Sequence, residues 1–572
     1  MMKRILAIIL CAAMLLLVFA GCGTAESTKS SVSEAQVENS TQSETAPAET
    51  VSSENAAAQS TPAEEATPEQ VPAKVDYALP LTTEDESFTF FIGVAPFLNG
   101  IMNGFDDNIA WKAIRENTGV DLEFINVSGQ EEATQFALLL AADDLPELVQ
   151  RGVNLYGSAD GAISDGFFVD LAPYLAEYAP NYNYYLSQCD DIRKMVTTDS
   201  GGIASFTQFK TDIMFNEGYA IRADWLEEVG MEAPTTYDEL HDVLTAFQTQ
   251  LNVAHPLAIT YDSGVGDSFS WGYDVTSGVM VKDGVVSWGI TSQEYYEYLC
   301  MIKQWMDEGL IDPESYSYTS SNDFSDKVLN GETGFFYIQS SNVDTWVEQN
   351  ANPNAKIEAV DNVVRNSGDQ LHFSPMMINS MEGKETFVNT KIFAISTNCH
   401  NVELAIQLID YCYSDEGGLI CNYGVEGDTY TMVDGKPQFT ETVLNNDYGL
   451  SLEFSFNMFC MQYGPFVEDY NRVSSNWSDT VYAACEVWSN ANLGDSYVVP
   501  SYGVELTSNE NSEYSAIYAD IDTYVTESLW KFVTGELSLD AYFTEFVANI
   551  ESMNIERCVE IYQDAYDRYI SH

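Results

Sequence analysis

Aromatic rings and carboxylates alternate in a short stretch of the chain, Asp267 to Asp274. This stretch reads DSFSWGYD and places Phe269, Trp271 and Tyr273 between its two acidic ends. Rings offer flat apolar faces for stacking, carboxylates accept hydrogen bonds, and loops between regular elements often carry function. The stretch is therefore a candidate binding loop. The alternative is that Trp271 simply packs beneath the loop.

Signatures of catalysis are not evident in the sequence. The five histidines form no H-E-x-x-H motif, and neither a G-x-S-x-G elbow nor a P-loop occurs. The paired carboxylates of a glycoside hydrolase are defined by their separation in space. Because the chain has 88 Asp and Glu residues, neighbouring acids carry little information. We expect a protein that is not an enzyme, with a cell-surface glycoside hydrolase lipoprotein as the alternative.

The N-terminus has the layout of a cleaved export signal over residues 1–21. Two basic residues precede an apolar run, residues 5–19, which is shorter than the ~20 residues of a membrane-spanning helix. The sequence FAGC that ends at Cys22 resembles the bacterial lipoprotein lipobox, with Phe19 where Leu is usual. This resemblance implies a diacylglyceryl thioether on Cys22, and two acyl chains are enough for stable anchoring.

A polar segment follows Cys22. Residues 23–73 are mostly Ser, Thr, Ala, Glu, Gln and Pro and include no aromatic residue. Such a segment cannot bury enough apolar surface to offset the entropy of ordering. We therefore predict a disordered tether over residues 22–80 and a globular body that begins near Phe88.

The charge balance limits the possible partners. The formal net charge is -65, with only 23 Lys and Arg residues. Such a surface repels phosphate backbones and anionic lipid head groups, so we expect no nucleic acid partner and membrane contact only through the N-terminal lipid. We attribute the acidity to solubility rather than to a specific cation. The eight cysteines of the body are scattered without C-x-x-C spacing, which favours buried free thiols.

Strands and helices are predicted to alternate along the body, which indicates the α/β class. An apolar run at residues 88–94 predicts a strand buried on both faces, and residues 120–127 predict a second strand after a helix around residues 111–117. The body exceeds the ~250 to 300 residues at which one core stops growing, so two or more lobes are expected.

Helix boundaries are predicted from capping residues. Capping boxes open helices at Thr236 and at Thr291. A further helix around residues 405–412 is predicted to be closed by Gly417 and Gly418.

Several short motifs follow one another along the body. They are DLPEL at 144–148, DGFFVDL at 165–171, IRADWL at 221–226, GLIDP at 309–313, NGETG at 330–334 and AYDRY at 565–569. In these motifs and their order, the chain resembles extracellular solute-binding proteins of family 1. It resembles more closely the LipO-type lipoproteins that serve oligosaccharide ABC importers of Gram-positive bacteria.

The resemblance implies a type II periplasmic-binding-protein fold, in which two α/β lobes joined by a hinge hold the ligand in the cleft between them. Its implied boundaries are residues 85–220 with 385–425 for lobe 1, 221–384 with 426–500 for lobe 2, and 501–572 for C-terminal helices packing across the lobes. The implied function is a lipid-anchored, monomeric receptor on the extracellular face of the membrane. It would capture an oligosaccharide and deliver it to ABC permease subunits.

The resemblance also suggests ligand contacts. Asp267, Phe269, Trp271, Tyr273 and Asp274 resemble the second-lobe sugar-stacking loop of maltose-type binding proteins. The other candidates are Asn154 and Tyr156 in the first-lobe contact loop, Tyr337 and Gln339 where the chain re-enters the cleft, Asn99 and Asp106 beyond the first strand, and Glu426, Asp428 and Tyr430. For each group the alternative is an ordinary turn or structural role.

One departure from the family concerns metal. Many relatives carry an Asp- and Asn-rich loop of calcium-binding type after the helix that opens at Thr236. Here Phe247 leads through Leu251 directly to His255 and Pro256, without clustered oxygen ligands. We therefore predict no metal and no cofactor.

Overall fold

The structure is a computed structural model, and it describes residues 72–98, 100–261, 265–373, 379–500 and 503–571. The side chains of Asp267 and Asn379 are not described. Cys22, the export signal, Asn99 and most of the predicted tether lie outside these ranges. Within these ranges, no helix combines the length and apolarity needed to cross a membrane.

The strands form a seven-stranded sheet, a three-stranded sheet and two hairpins. In chain order they are β1 Glu86–Val94, β2 Val120–Ser128, β3 Leu148–Gln150, β4 Phe206–Thr211, β5 Glu217–Arg222, β6 Val279–Lys282, β7 Val285–Trp288, β8 Phe335–Gln339, β9 Ile357–Ala359, β10 Asn379–Met381, β11 Lys384–Ile395, β12 Tyr430–Val433, β13 Lys436–Phe439 and β14 Val467–Asp469.

The seven-stranded sheet is the framework of the first lobe. Its order is β14-β4-β11-β3-β1-β2, with β10 paired to β11. β1 runs parallel to β2 and β3, whereas β11 is antiparallel to β3 and β4. Along β1, Phe88 and Phe90 belong to one apolar cluster and Phe91 to another. This alternation explains why the predicted strand reads as a continuous apolar run. The parallel pairing of β1 with β2, on either side of the helix Ile109–Thr118 in the chain, confirms the first β-α-β unit.

Helices cover both lobes. Apart from short 3-10 turns, they are Ile109–Thr118, Glu132–Ala142, Gly152–Tyr156, Ala159–Ser164, Leu175–Tyr178, Pro180–Leu186, Asp190–Val196, Ala223–Val229, Tyr237–Gln250, Asp267–Ser270, Gln293–Asp307, Ser325–Asn330, Ser340–Glu348, Val402–Tyr411, Asp415–Tyr423, Glu441–Leu444, Leu452–Phe459, Asn471–Ser474, Asp479–Ser489, Ser508–Thr534, Ala548–Ser552 and Ile555–Ser571, with a π-helical segment Tyr542–Val547.

The second lobe is built around the three-stranded sheet β8-β5-β9, whose pairings are antiparallel. Helices Tyr237–Gln250, Gln293–Asp307 and Ser508–Thr534 contribute apolar faces to one core with this sheet. Residues such as Leu240, Leu299 and Leu529 are fully buried there. Each helix therefore gains its stability mainly from an apolar stripe against the shared core.

The two predicted capping boxes have different outcomes. Thr236 and Glu239 form the predicted reciprocal box. At the second position the prediction is wrong by one residue, because Ser292, not Thr291, accepts the hydrogen bond from the Tyr295 amide. The Thr291 hydroxyl donates instead to the Trp288 carbonyl, at 2.8 Å, and so does not cap the helix.

The prediction that Gly417 and Gly418 close a helix is also wrong. The helix Val402–Tyr411 ends earlier, and both glycines lie inside the next helix, Asp415–Tyr423. A Cβ atom on Gly417 would lie 2.0 Å from the Tyr411 carbonyl oxygen. The glycine is therefore required by close approach of the backbone rather than by a helix end.

The body begins earlier than predicted. Val75 donates its amide to the Asn181 side chain at 2.8 Å, and the Tyr77 hydroxyl donates to Asp410 at 2.7 Å. Asp410 also accepts the Tyr182 amide at 2.7 Å. Residues 72–80, which are part of the predicted tether, thus pack against the first lobe.

The assignment of chain segments to lobes remains a proposal. β14 pairs with β4 in the large sheet, and the apolar cluster around Phe456 packs against Ile109. These contacts favour placing residues 426–474 with the first lobe, whereas the family resemblance implied that they belong to the second. In the C-terminal region, Leu529 lies in the second-lobe core, while Arg568 pairs with Asp199 of the first lobe.

Candidate functional site

A cavity of 420 Å³, here called cavity A, lies at the carboxyl ends of the parallel strands of the first lobe. Gly93 at the end of β1, Gly129 just after β2 and Gln150 at the end of β3 line it. Ligands of open α/β sheets bind at this edge, and the volume lies within the ~300 to 1,000 Å³ of typical ligand sites. Cavity A is therefore the main candidate for a binding site.

Strand β11 reaches cavity A through an irregularity. Its pairing with β4 shifts register between Asn389 and Phe393, and both Asn389 and Ile392 line the cavity. The Ile392 carbonyl accepts the Arg151 amide at 2.7 Å. Bulges are frequent beside functional sites because they redirect side chains. Here the bulge brings an amide side chain to the cavity wall.

A charge pair lies on one side of cavity A. Glu132, at the start of the helix Glu132–Ala142, is 5% exposed, and its Oε2 accepts a hydrogen bond from Arg151 Nη1 at 3.0 Å. The other oxygen, Oε1, has no hydrogen-bond partner among the described residues. Burial raises the pKa of Glu132, while the positive charge of Arg151 opposes this shift.

Another part of the wall comes from the segment 457–463. Asn457, Gln462 and Tyr463 line cavity A, and Tyr463 is 53% exposed. Behind them, Arg472 donates to the Met461 carbonyl at 2.7 Å and to Glu468 at 2.8 Å. Because the guanidinium is fully buried and paired, it fixes the backbone from which Gln462 and Tyr463 extend.

Two further cavities follow the chain from the first lobe to the second. Cavity B, of 160 Å³, shares Gln462 and Tyr463 with cavity A and is also lined by Asn216. Cavity C, of 40 Å³, is lined by the neighbouring residues Phe215 and Glu217. The segment between β4 and β5 therefore lines cavities B and C, and cavity B adjoins cavity A through the two residues that they share.

Cavity C brings together two of the residues singled out in the sequence. Trp271 and Tyr337, both half-buried, line it together with Trp488. Glu217 lies on the strand next to Tyr337, and burial together with this carboxylate raises the pKa of the Tyr337 phenol. The hydroxyl therefore stays protonated and can donate a hydrogen bond.

Gln339 lies on the same face of β8 as Tyr337. It is paired in register with Glu217, and its side-chain amide donates to Glu217 at 3.4 Å. Gln339 is exposed and does not line cavity C.

The other residues of the loop that contains Trp271 have different surroundings. Phe269 is 1% exposed and contacts Tyr219 and Tyr237 inside the second-lobe core. We therefore remove Phe269 from the proposed contacts, because an enclosed ring presents no face to a ligand. Tyr273 packs against Tyr237 beneath the guanidinium of Arg365, 4.6 Å from its ring centre.

Asp274 lies at the end of the same loop. One of its carboxylate oxygens is 3.9 Å from His372 Nε2, and burial raises the pKa of this carboxyl group. Neither Asp274 nor Tyr273 lines any of cavities A, B and C.

The candidates in the first lobe also differ in whether they line a cavity. Asn154 is exposed and lines cavity A. Tyr156 donates its hydroxyl to Asp165 and packs against Phe167, away from the cavity lining. Asp106 pairs with Arg115 at 3.2 Å.

Residues 426–430 are not among the lining residues of cavities A, B and C. Glu426 and Asp428 are exposed on the turn before β12, and Glu426 forms a backbone bridge with Tyr430. Tyr430 is 6% exposed and packs against Tyr423. These contacts favour the structural alternative for this segment.

Sequence reasoning missed several residues of the candidate site. They include Glu132, Arg151, Gln462 and Tyr463. The chain segments that carry them, around residues 132, 151 and 462, lie apart from one another in sequence. The positive φ of Arg151, 55°, marks a special turn but has no signature in the residue type.

Among the described residues, no group of three or more His, Cys, Asp or Glu side chains could hold a metal ion. The eight cysteines of the body form no disulfide, and six of them are buried.

Comparison with known proteins gives related sequences. The family model described as bacterial extracellular solute-binding protein matches residues 102–419, more than half of the 572-residue chain. Lipoprotein LipO of Bacillus subtilis is 24% identical over 365 residues, covering 60% of this chain and 67% of LipO. The fructooligosaccharide ABC transporter substrate-binding protein FusA of Streptococcus pneumoniae is 22% identical over 502 residues, covering 81% and 87%.

Solved structures show the same architecture. An HMO binding ABC-transporter associated solute binding protein from Bifidobacterium longum infantis matches with a TM-score of 0.69 at 18% identity, covering 85% of this chain and 99% of that one. At such identity the likeness concerns the fold alone. It confirms the predicted two-lobe α/β fold of type II periplasmic-binding proteins.

Proposed function

This chain belongs to the bacterial extracellular solute-binding proteins, and from that premise we propose that it captures an oligosaccharide in the cleft between its lobes and delivers it to an ABC transporter permease. Cavity A forms the first-lobe part of the site, cavity C the second-lobe part, and cavity B lies along the crossover between them. Closure of the hinge would enclose the ligand between lobes.

The observation that carries this proposal is the lining of cavity A. Amide side chains are prominent there, with Gln150, Asn154, Asn389 and Gln462 among them. An amide both donates and accepts hydrogen bonds, as does a sugar hydroxyl, so the two are complementary. Trp271 in cavity C would supply an aromatic face for the apolar C-H surface of a sugar ring.

The residues that line cavity A favour the hypothesis of binding without catalysis. Among the described residues that line it, Glu132 is the one carboxylate, and it is already paired with Arg151. A glycoside hydrolase of the usual kind needs two carboxyl groups, ~5 to 10 Å apart, on either side of the bond that is cleaved. We therefore prefer a receptor over the alternative of a cell-surface glycoside hydrolase.

The names of the relatives support an oligosaccharide but differ in its type. FusA is named for fructooligosaccharide, and YtcQ of Bacillus subtilis, 20% identical over 468 residues, for polygalacturonan and rhamnogalacturonan. We transfer only the class of ligand to this chain. Lipid anchoring through Cys22, a monomeric state and a position outside the cell membrane belong to the same proposal.

A glycan array tests the proposed ligand class. The chain from residue 23 onward, which includes the compact unit Val71–His572, would be labelled and applied to printed oligosaccharides. We expect saturable binding to a structurally related group of glycans. Absence of binding to every printed glycan, with a cooperative unfolding transition showing that the protein is folded, would contradict the proposal.

A further inference from the structure

Acidic groups outnumber basic groups around the three cavities. Among the described residues that line them, five are acidic and two are basic, namely Glu132, Glu217, Asp361, Glu453 and Glu468 against Arg151 and Lys210. Both basic groups are already paired, Arg151 with Glu132 at 3.0 Å and Lys210 with Glu468 at 3.3 Å. Neither cation is therefore available to neutralise an anionic ligand without losing its present partner.

In cavity A the one lining carboxylate among the described residues is Glu132, and its one cationic partner there is Arg151. Only one of its oxygens has a hydrogen-bond partner among the described residues, and the side chain is buried. The backbone of Gly93 packs closely against it, since a Cβ atom there would lie 3.0 Å from Oε1. A second negative charge brought to this wall would be repelled more strongly than in water, because the dielectric is lower.

We infer that the site accepts neutral oligosaccharides and discriminates against glycans that carry a carboxylate, and that Glu132 determines this selection. The inference rests on the proposed function, because it concerns the ligand of the same cavity. Glu132 acts through its charge, and Arg151 positions it. Sugar hydroxyls avoid the penalty, because they are uncharged and pair with the amides of Asn154, Asn389 and Gln462.

Matched pairs of glycans test the selection. We would titrate the chain with α-1,4-galactotriose and α-1,4-trigalacturonate, with β-1,4-mannotriose and β-1,4-trimannuronate, and with any neutral array ligand and its 6-carboxylate. For each backbone that binds, the neutral member should bind about tenfold tighter or more. Tighter binding of the carboxylated member would overturn the inference.

Substitution of Glu132 identifies the residue responsible. Glu132→Gln removes the repelling charge and frees Arg151, so the preference for the neutral member should fall by about tenfold or more. Glu131→Gln is the matched control, since it makes the same change of charge at the adjacent, exposed residue. An unchanged preference in folded Glu132→Gln would exclude Glu132 as the determinant.

A second variant covers the case in which Glu132→Gln does not fold. Arg151→Met leaves Glu132 without its partner, so at alkaline pH, where Glu132 is kept ionised despite its raised pKa, the preference for neutral glycans should increase, and an unchanged or smaller preference there would contradict the inference. The remaining outcomes are distinct. Binding confined to carboxylated or free-amine glycans would overturn this inference and leave the proposed function intact, whereas binding to no glycan at all would remove both.

Discussion

Trp271 is the residue at which ligand binding and packing can be separated most directly. It is half-buried and lines cavity C with Tyr337, whereas its neighbour Phe269 lies in the core. A ring in such a position contributes less to folding than an enclosed one, and a stacking contact at a site is worth ~1 to 3 kcal/mol, in the lower range for aromatic hot spots.

We predict that Trp271→Ala weakens oligosaccharide affinity by about tenfold to a hundredfold and lowers the melting temperature only slightly. Trp305→Ala is the matched control, because Trp305 is 3% exposed in the same lobe. That variant should lose ~3 to 5 kcal/mol of stability, the cost of a cavity in a core. Calorimetry and thermal unfolding measure both effects, and unchanged affinity with lost stability in Trp271→Ala would remove it from the site.

At the scale of single residues, three of the positions singled out in the sequence line cavities, namely Asn154, Trp271 and Tyr337, and their contact with a ligand stays a prediction. Trp271 and Asn154 line cavities as the family resemblance suggested, while Tyr156 and Tyr430 turn to structural partners. Glu132 could not be found in this way, because it is one of 88 acidic residues and its significance comes from burial beside Gly93 and Arg151. Burial of that kind is set by tertiary structure rather than by local pattern.

At the scale of secondary-structure elements, a histidine joins the ends of two strands on the edge of the first sheet away from cavity A. His400 bonds through Nε2 to Glu86 at the start of β1, at 3.0 Å, and through Nδ1 to Glu147 just before β3. Hydrogen bonds that the His400 ring donates to Glu147 and Glu86 raise the pKa of His400, and the Thr89 amide and His400 hold the pKa of Glu147 below its usual value despite desolvation.

These shifts predict how stability depends on pH. Since the folded pKa of His400 is raised, its contribution is complete below the unfolded value of ~6.5 and is lost as pH rises through the folded value. The contribution of Glu147 has the opposite sense: it is complete above ~4.3 and is lost as pH falls through its lowered folded value. The contact between His400 and Glu147 should therefore contribute most to stability between about pH 5 and 6.

We predict that His400→Gln reduces the loss of stability between pH 6 and pH 8, by less than about 1 kcal/mol because the pair is partly exposed. Thermal unfolding as a function of pH measures this. His255→Gln is the control, since the His255 ring bonds to a backbone carbonyl. Identical pH slopes in the wild type and His400→Gln would contradict the assignment, and neither variant should alter glycan affinity.

Secondary structure was predictable where one local cause determines an element. The apolar run of β1 and the capping box at Thr236 are examples. Prediction failed at Gly417 and Thr291, where contacts with Tyr411 and Trp288 decide the outcome. The pairing of β14 with β4 could not be foreseen from pattern, because more than 250 residues separate the strands.

At the scale of the whole molecule, the proposed lipid on Cys22 decides where the receptor works. The predicted tether would link that lipid to the body and keep the body near the proposed permease. We predict that Cys22→Ser abolishes lipidation and releases the protein into the medium. Fractionation of cells and medium, with mass analysis of the N-terminus, checks this. Retention of the variant at the membrane to the same extent as the wild type would indicate another anchor.

The central claim is capture of an oligosaccharide without chemical change. Titration calorimetry of the chain from residue 23 onward with its strongest neutral array ligand, followed by mass analysis of the recovered sugar, tests it most directly. We predict saturable heat at about one molecule per chain and recovery of the sugar at its original length. Release of shorter glycans, abolished by changing a single Asp or Glu, would contradict the claim and assign the protein to the glycoside hydrolases.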